Sequence, residues 1–344
     1  MKRTSSWRSP SNIALIKYWG KKEVQIPANP SLSFTLSNCY TETSVLAQEM
    51  DKEGATEVKV FLNGLVREDF RDKIYKLLER LGTEADFLKG QYLEVKTMNS
   101  FPHSSGIASS ASGMSALVLC LLSLKEAFTG QKDPEFFKTA SRWARLASGS
   151  ASRSVYGGLV LWGHNEAWPL GNNEYAMPLL QDVHPVFQDF KDFVLLVEKG
   201  SKAVSSSSGH GLMNGHPFAE RRFAEAQRNL AKMRDILKAG DLESFGALVE
   251  SEALQLHAMM MTSQPYYLLM KPNTVAIIEK IWELRRIKKI PAYFTLDAGA
   301  NVHLLFPREY EHLVQTFTQN EVTPLLHEGE YIDDAVGSGP QKLF

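Results

Sequence analysis

Two polar loops in the sequence carry residue types that bind anions. The first, residues 102–113, reads Pro-His-Ser-Ser-Gly-Ile-Ala-Ser-Ser-Ala-Ser-Gly and leads into an apolar segment. Small residues let the backbone wrap around an anion, and the N–H groups of a following helix supply a positive field. The hydroxyls of Ser109 and Ser110 could add ligands to phosphate or Mg²⁺. The same pattern fits a serine-rich cap of a buried helix, and no Gly-Lys-Ser/Thr follows to make a Walker A motif.

The second loop, residues 147–158, alternates hydroxyls around an arginine. Arg153 is surrounded by Ser148, Ser150, Ser152 and Ser154. A planar guanidinium forms paired hydrogen bonds with carboxylate or phosphate oxygens, and the serines could add further donors. The loop therefore indicates an anion site, although a tight turn before a strand would use similar residues.

A lysine and an aspartate in apolar surroundings are the other candidates for chemistry. Lys17 lies in the run 12–22, where burial of an ammonium is costly unless it has a charged partner. The alternative is a surface lysine whose stem covers apolar groups. Asp297 lies between two short apolar segments and could be an acid–base group or an Asx turn.

The hydrophobic pattern predicts a mixed α and β layout that would position these loops. Alternation at residues 57–62 runs into the hairpin signal Asn63-Gly64, and helical spacing follows to Leu81. Further strands are predicted at 92–96, 159–162, 193–197, 293–296 and 302–306. Further helices are predicted at 114–124, 134–146, 218–237, 242–260, 274–286 and 309–317.

The composition is that of a globular chain without a general affinity for polyanions. The 344 residues are 44% hydrophobic, and 38 Lys plus Arg against 39 Asp plus Glu give a net charge of −1. We therefore expect no nucleic-acid or membrane partner. The sequence has no signal-type apolar stretch and no uninterrupted run of about 18 apolar residues. Cys39 and Cys120 are its only cysteines, which predicts a reducing cytoplasm rather than a disulfide framework.

Taken in order, these segments resemble the motifs of the diphosphomevalonate decarboxylases, a branch of the GHMP kinase superfamily. The matching stretches are 12–21, 28–33, 99–113, 147–158, 204–213 and 293–301. The resemblance implies an α+β fold with an N-terminal domain like the second domain of ribosomal protein S5 and a ferredoxin-like C-terminal domain. We expect the first domain to span residues 1–187 and the second 188–344, with the active site in the cleft between them.

The resemblance also implies a reaction and the residues that perform it. ATP, with Mg²⁺, would phosphorylate the 3-hydroxyl of mevalonate 5-diphosphate, and loss of that phosphate with the carboxylate would yield isopentenyl diphosphate, CO₂ and ADP. Asp297 would accept or orient the hydroxyl proton, Lys17 would stabilise the transferring phosphoryl group, and Arg153 would hold the substrate carboxylate. The family implies a homodimer.

Binding residues follow from the same resemblance. Ser148 and Ser150 would support Arg153 at the substrate, while Tyr18 and Lys21 would donate to the 5-diphosphate. Mg²⁺ would lie near the hydroxyl of Ser110, which would also bind the nucleotide. The residues expected to bind the ATP phosphates are Ser104, Ser105, Gly106, Ala108, Ser109 and Ser110.

The sequence departs from the family pattern at several positions. Ala147 and Ser152 replace a glycine and a cysteine, and His103 adds a titratable ring beside the expected phosphates. In the segment after Ser208, several decarboxylases carry an arginine for the diphosphate, and this sequence has no clear single counterpart. The candidates to replace it are His210, His216, Arg221 and Arg222. His257, on an apolar helix, is interpreted as a core residue.

Other functions stay open on the sequence. A kinase of the superfamily would stop after phosphorylation, and a related decarboxylase would act on the monophosphate. Kinases of the mevalonate and galactose type usually carry an acid in the middle loop, where this chain has Arg153 and no carboxylate. An RNA-binding module is the alternative of another class, because S5-like domains occur in ribosomal proteins. The near-zero net charge and the lack of a Lys/Arg stripe argue against it.

Overall fold

The computed structural model describes residues 2–51, 54–102, 107–200 and 204–344, which form helices and strands in two layers. The strands are β1 (Lys2–Ile16), β2 (Lys21–Glu23), β3 (Ile26–Pro27), β4 (Ser31–Glu49), β5 (Glu57–Leu62), β6 (Leu65–Val66), β7 (Gln91–Asn99), β8 (Leu159–Trp162), β9 (Ala176–Pro178), β10 (Phe190–Leu195), β11 (Tyr293–Thr295), β12 (Val302–Pro307), β13 (Tyr331–Ala335) and β14 (Gln341–Lys342). The helices are α1 (Glu68–Leu81), α2 (Ser109–Thr129), α3 (Phe136–Ala147), α4 (Ser206–Gly211), α5 (Ala219–Ala239), α6 (Leu242–Met261), α7 (Pro272–Lys288) and α8 (Glu311–Phe317).

An eight-stranded sheet organises the first half of the chain. Its main order is β14-β1-β4-β7-β5-β6, and β8 and β9 extend it from the first half of β4. β4 is long enough to pair with two strands on one side, because residues 31–34 pair with β8 and residues 41–49 pair with β7. β14 returns from the end of the chain to pair with β1. The sheet therefore ties both ends of the described chain together.

The two longest strands, β1 and β4, were not predicted from the sequence. Residues 9–16 of β1 are all buried, since α2 packs on this strand and α6 also contacts it. A strand that is covered on both faces has no reason to alternate apolar and polar residues. The period-two signal that identified β5 is therefore missing here.

Helix α2 is the central core helix. Its residues 114–124 are all buried, and the more exposed residues of the helix lie near its two ends. By length and mean hydropathy it could span a membrane, but 72% of its most apolar window is buried inside the protein. A helix that is apolar all round and enclosed by protein is typical of a large core. Cys120 on α2 and Cys39 on β4 are buried and unbonded.

A four-stranded antiparallel sheet forms the second layer, in the order β11-β12-β10-β13. Its core contains Phe193, Phe294 and Phe306, against which α7 and α8 pack. The predicted strands at 193–197, 293–296 and 302–306 correspond to β10, β11 and β12, with ends shifted by a few residues. β13 was not predicted, because its sequence Tyr-Ile-Asp-Asp-Ala contains two charged residues.

The remaining local predictions agree closely with the structure. β5 and β8 have the predicted bounds, and Asn63 and Gly64 connect β5 to β6 with φ values of 51° and 81°. Positive φ at both central residues is what a tight hairpin turn of this type requires. The predicted helices are all present, and most ends differ by one to five residues.

Asp334 on β13 joins the second layer to the first sheet. In β4 the register with β1 breaks between Thr35 and Tyr40, so the intervening residues bulge away from their neighbour strand. The fully buried carboxylate of Asp334 accepts the freed backbone N–H groups at 2.7–2.8 Å, and these belong to Ser37, Asn38 and Cys39. One side chain thus satisfies donors that the sheet itself leaves unpaired.

Replacing Asp334 should destabilise the protein strongly. Asp334→Asn keeps the shape but puts an amide NH₂ where an acceptor is needed, so we expect unfolding free energy to fall by at least about 2 kcal/mol. Urea unfolding measures the change. Asp235→Asn is the control, since this exposed residue on α5 should change stability by less than about 0.5 kcal/mol. Equal stability of both variants would show that the Asp334 contacts contribute nothing.

Candidate active site

A cleft of about 500 Å³ opens between the two layers and contains most of the predicted site residues. Its walls come from β1 and the segment after it, from α1, from the start of α2, from the loop after α3, and from α4 and the loop after β11. Among the described lining residues Asp297 is the one carboxylate, and the cations are Lys17, Lys21, Lys73, Lys76, Arg80 and Arg153. Such a charge balance favours polyanionic ligands.

Lys17 and Asp297 form an ion pair in this cleft. Lys17 directly follows β1 and is 1% exposed, and its Nζ lies 3.0 Å from Oδ1 of Asp297 in the loop after β11. The Asp297 side chain is 24% exposed. Burial lowers the pKa of Lys17, and the neighbouring Asp297 carboxylate opposes that change. The pair combines a carboxylate that a ligand can reach with a cation held beside it.

A buried carboxylate fixes the backbone of Lys17. Glu252 on α6 is fully buried and accepts the N–H of Lys17 at 2.8 Å. It also pairs with Arg222 and accepts a hydrogen bond from Asn229 at 2.8 Å. Asn29 donates to the carbonyl of the same residue, Lys17, at 2.8 Å. The position of Lys17 is therefore set by polar contacts from three parts of the chain: α6, the segment before β4 and the loop after β11.

Arg153 is a buried cation without an adjacent carboxylate. It lies in a 3₁₀ helix, Gly149–Val155, and donates to Asn12 Oδ1 at 3.2 and 3.1 Å and to the hydroxyl of Ser31. No carboxylate of the described residues lies within 4 Å of its guanidinium. Burial lowers the pKa of Arg153 to about 10, so the group stays charged at neutral pH. A buried charge of this kind favours an anion in the cleft.

The four alternating serines around Arg153 divide into two pairs. Ser148 and Ser150 line the cleft. Ser152 and Ser154 are fully buried behind it, where Ser152 donates to a carbonyl of its own loop at 2.7 Å and Ser154 contacts β1. The structure therefore brings to the cleft only the two serines that the resemblance assigned to the substrate.

Tyr18 presents a hydroxyl that lacks a partner among the described residues. It lines the cleft beside Gly149, where a Cβ would lie 2.9 Å from the Tyr18 hydroxyl and 2.7 Å from Trp162. Only glycine fits this contact. Burial raises the pKa of Tyr18, so the hydroxyl keeps its proton. A ligand oxygen would satisfy this buried donor. Lys21, also in the cleft, has a pKa lowered by burial.

The predicted phosphate loop is described in part. Ala108, with a φ of 46°, and Ser110 line the cleft at the start of α2. Ser109 lies beside a neighbouring cavity of about 30 Å³ against β5 and β7, and its phosphate contact stays a prediction. The other predicted residues lie outside the described part of the chain: His103, Ser104, Ser105 and Gly106.

Three basic residues on α1 line the cleft and were missed by the sequence reasoning. Lys73, Lys76 and Arg80 follow each other at intervals of three and four residues, so they share one face of the helix next to its buried face. This spacing was the available signal. It is also typical of an ordinary solvated helix face, and only the fold shows that the stripe faces the cleft.

The structure separates the residues left as candidates for the diphosphate. His210 lines the cleft. His216 is buried against the carbonyl of Met259, Arg222 pairs with Glu252, and exposed Arg221 is not part of the cleft wall. His257 lies in the core as interpreted, and its Nε2 contacts the carbonyl of Asp297 at 3.1 Å. It therefore helps to position the Asp297 loop.

Comparisons with known proteins match nearly the whole chain. The diphosphomevalonate decarboxylase-like N-terminal domain matches residues 9–176, and the mevalonate 5-diphosphate decarboxylase C-terminal domain matches residues 193–336. The diphosphomevalonate decarboxylase of Debaryomyces hansenii is 32% identical over 328 residues, covering 90% of this chain and 81% of the relative.

Solved structures give the same result. Mevalonate diphosphate decarboxylase from Staphylococcus aureus has a TM-score of 0.84 and 29% identity, with 100% of this chain and 99% of that chain covered. MDDEF in complex with MVAPP, AMPPCP and magnesium has a TM-score of 0.85 and 28% identity, again with 100% of this chain and 99% of that chain covered. The α+β architecture and its cleft are thus those of the GHMP kinase fold, as expected from the sequence. Within that class, the chain belongs to the diphosphomevalonate decarboxylase family.

The Glu252 contacts predict a large effect on stability and turnover. Glu252→Gln leaves Arg222 buried without its counter-charge, so we expect a loss of about 3 kcal/mol in unfolding free energy. The displaced Lys17 peptide should also lower kcat in folded protein. Urea unfolding and steady-state kinetics measure the two effects.

The matched control is Glu225→Gln, which breaks the exposed Glu225–Arg228 pair on α5. We expect a loss below about 1 kcal/mol and unchanged kcat, because exposed ion pairs contribute little. If both variants lost the same stability, the buried network would have no special role.

Proposed function

We propose that the protein is an ATP-dependent decarboxylase that converts mevalonate 5-diphosphate to isopentenyl diphosphate, CO₂, ADP and phosphate. The observation that carries the proposal is the meeting of an acid–base pair, Lys17 and Asp297, with the buried Arg153 in one cationic cleft. The relatives named diphosphomevalonate decarboxylase and the neighbour bound to MVAPP, AMPPCP and magnesium support this substrate and ATP.

In the first step, the substrate's tertiary 3-hydroxyl attacks the γ-phosphorus of ATP and releases ADP. A tertiary alcohol is a weak nucleophile, so a carboxylate that accepts or orients its proton assists the attack. Asp297 has the exposure for this role, and Lys17 stabilises the negative charge on the phosphoryl group in transfer.

In the second step, the 3-phosphate leaves together with the carboxylate. The electron pair of the bond to the carboxylate carbon forms the new alkene and expels phosphate, so CO₂ is released without an organic electron sink. Arg153 holds the carboxylate in line for this elimination, with Ser148 and Ser150 as further donors. The rigid contacts of Arg153 with Asn12 and Ser31 fit a group that orients rather than moves.

The cleft offers separate groups for the two polyphosphates. Tyr18 and Lys21 form a donor pair for the 5-diphosphate, and the basic face of α1 together with Ala108 and Ser110 suits the ATP phosphates. The positive side chains on α1 are Lys73, Lys76 and Arg80.

Mg²⁺ fits the same end of the cleft. No cluster of three or more His, Cys, Asp or Glu that could hold a metal occurs within the described residues. Mg²⁺ commonly keeps phosphate and water oxygens as ligands, and the Ser110 hydroxyl would add one from the protein. The ion would neutralise charge on the ATP phosphates when bound.

The buried Arg153 also argues against the closest alternative. A 3-kinase would leave the substrate carboxylate intact and would need no buried cation to orient it for departure, and a decarboxylase of the monophosphate would not need the extra donors beside Tyr18. The six cations of the site line a cleft rather than an outer stripe, which does not suit RNA binding.

The division of the chain at residues 187 and 188 stays part of the proposal. The two family models leave residues 177–192 between them, and β10 opens the second sheet at Phe190. We also propose a cytoplasmic homodimer. The two buried, unbonded cysteines support a reducing compartment. The support for the dimer is the resemblance to the family.

Loss of the Asp297 carboxylate should abolish both products. Wild-type protein with Mg²⁺-ATP and mevalonate 5-diphosphate should release CO₂ and ADP in equal amounts, and Asp297→Asn should lower both rates by at least about a hundredfold. Coupled ADP detection and trapped CO₂ measure them. Asp235→Asn is the control with unchanged rates.

The substrate itself is tested in the same assay with mevalonate 5-phosphate. We expect no CO₂ from the monophosphate. ADP without CO₂ from the diphosphate would instead make the protein a 3-kinase, and equal CO₂ from the two substrates would remove the diphosphate preference.

Arg153 should be sensitive even to a charge-conserving change. Arg153→Lys keeps the charge but loses the planar, two-pronged donor, so we expect kcat for CO₂ release to fall about a hundredfold. KM for ATP should stay within about twofold. Arg286→Lys, at a side chain 74% exposed on α7, should leave both constants unchanged. Full activity of Arg153→Lys would contradict the proposed role.

A further inference from the structure

His210 is held in one orientation at the wall of the cleft. It lies in α4, and its ring packs against Tyr18 and Trp19 with centroid distances of 4.4 Å to each. Its Nδ1 accepts the backbone N–H of Gly20 at 2.9 Å. Gly209 is packed so closely that a Cβ there would lie 2.6 Å from Trp19. Three consecutive residues after Lys17 therefore fix both the plane and the rotation of the ring.

These contacts determine which ring nitrogen carries the proton. An acceptor at Nδ1 has no hydrogen, so the proton of the neutral ring is on Nε2. Burial, reinforced by the positive charges of Lys21 and Arg153, lowers the pKa of His210 to about 3. The ring is thus a neutral N–H donor at physiological pH.

The Nε2 edge has no hydrogen-bond acceptor among the described residues. Among the described residues, His210 contacts the rings of Tyr18 and Trp19 and the Gly20 N–H, and it lines the cleft. The neighbouring groups on the wall are the Tyr18 hydroxyl, which also lacks a described partner, and the Lys21 ammonium. Three donors, on Tyr18, Lys21 and His210, therefore line the same cleft. Asp297 is the one carboxylate among the described lining residues.

We propose that His210 donates a hydrogen bond from Nε2 to the 5-diphosphate of the substrate and, with Tyr18 and Lys21, forms the subsite that selects it. The inference rests on the proposed function. A neutral donor contributes to anion binding without adding a further buried cation beside Lys21 and Arg153. Because the ring is already fixed by stacking, little side-chain freedom is lost when the ligand binds.

The test compares four substitutions by calorimetric titration of mevalonate 5-diphosphate without nucleotide. His210→Phe keeps the stacked ring and removes the donor. His210→Gln supplies an amide N–H, and His210→Glu has the same shape with an acceptor in its place. His312→Phe, at an exposed residue of α8, is the control for the substitution itself.

We expect Kd for mevalonate 5-diphosphate to rise about tenfold or more in His210→Phe, since a hydrogen bond to a charged group is lost. His210→Glu should bind still more weakly, and His210→Gln should stay within about threefold of the wild type. In turnover, KM for the diphosphate should rise in the Phe and Glu variants, while KM for ATP stays within about twofold. The Gln and Glu pair decides the question if the Phe variant does not fold.

Unchanged Kd in His210→Phe and His210→Glu would overturn the proposal, and so would a Gln variant that binds as weakly as the Glu variant. An equal loss of ATP affinity would make the residue merely structural. If the wild type binds mevalonate 5-diphosphate but releases no CO₂, the proposed function fails and the Kd series still decides the role of His210. If the wild type does not bind the diphosphate, both fail.

Discussion

The burial of one ammonium group, that of Lys17, is the constraint on which the site depends. A lysine with 1% exposure is stable in its charged form only when carboxylates surround it. Asp297 pairs with its Nζ, and Glu252 holds its backbone N–H. These groups come from the loop after β11 and from α6, so the two layers of the protein must meet at the end of β1. The contacts that join the two layers here are therefore also contacts of the site.

The remaining charges of the cleft are not balanced in this way. Within the described structure, Arg153 has only neutral oxygens within hydrogen-bond distance. The basic side chains of α1 line the same cleft. Ligands therefore supply the negative charge that the protein lacks. Binding of a polyanion should stabilise the folded chain through linkage, because the unfolded chain has no such array. Carboxylates thus lie next to Lys17, whereas the rest of the described cleft wall, where phosphates are proposed to bind, has none.

Local sequence patterns predicted short strands, whether alternating as in β5 or apolar throughout as in β8, and missed the long strand β1 of mixed composition. Alternation predicted β5, and a short apolar run predicted β8, both with their observed bounds. β1 leads directly into Lys17, yet this strand was not predicted, because its buried residues include serines and an asparagine as well as apolar side chains. Asp334 shows a related failure. Its acidic strand looks like a loop, and the reason for the charge is a bulge in β4 about 300 residues earlier in the chain.

The candidate site was predictable to the extent that it consists of contiguous motifs, and the histidines show why the rest was not. His210, His216 and His257 all lie in apolar or glycine-rich contexts, which gives no basis for ranking them. Their roles follow from which ring nitrogen is occupied. His257 uses Nε2 on the carbonyl of Asp297, and His216 uses Nε2 on that of Met259. In His210, which lines the cleft, the backbone occupies Nδ1, and Nε2 has no partner among the described residues. Only the folded chain makes that distinction, because each partner is distant in sequence.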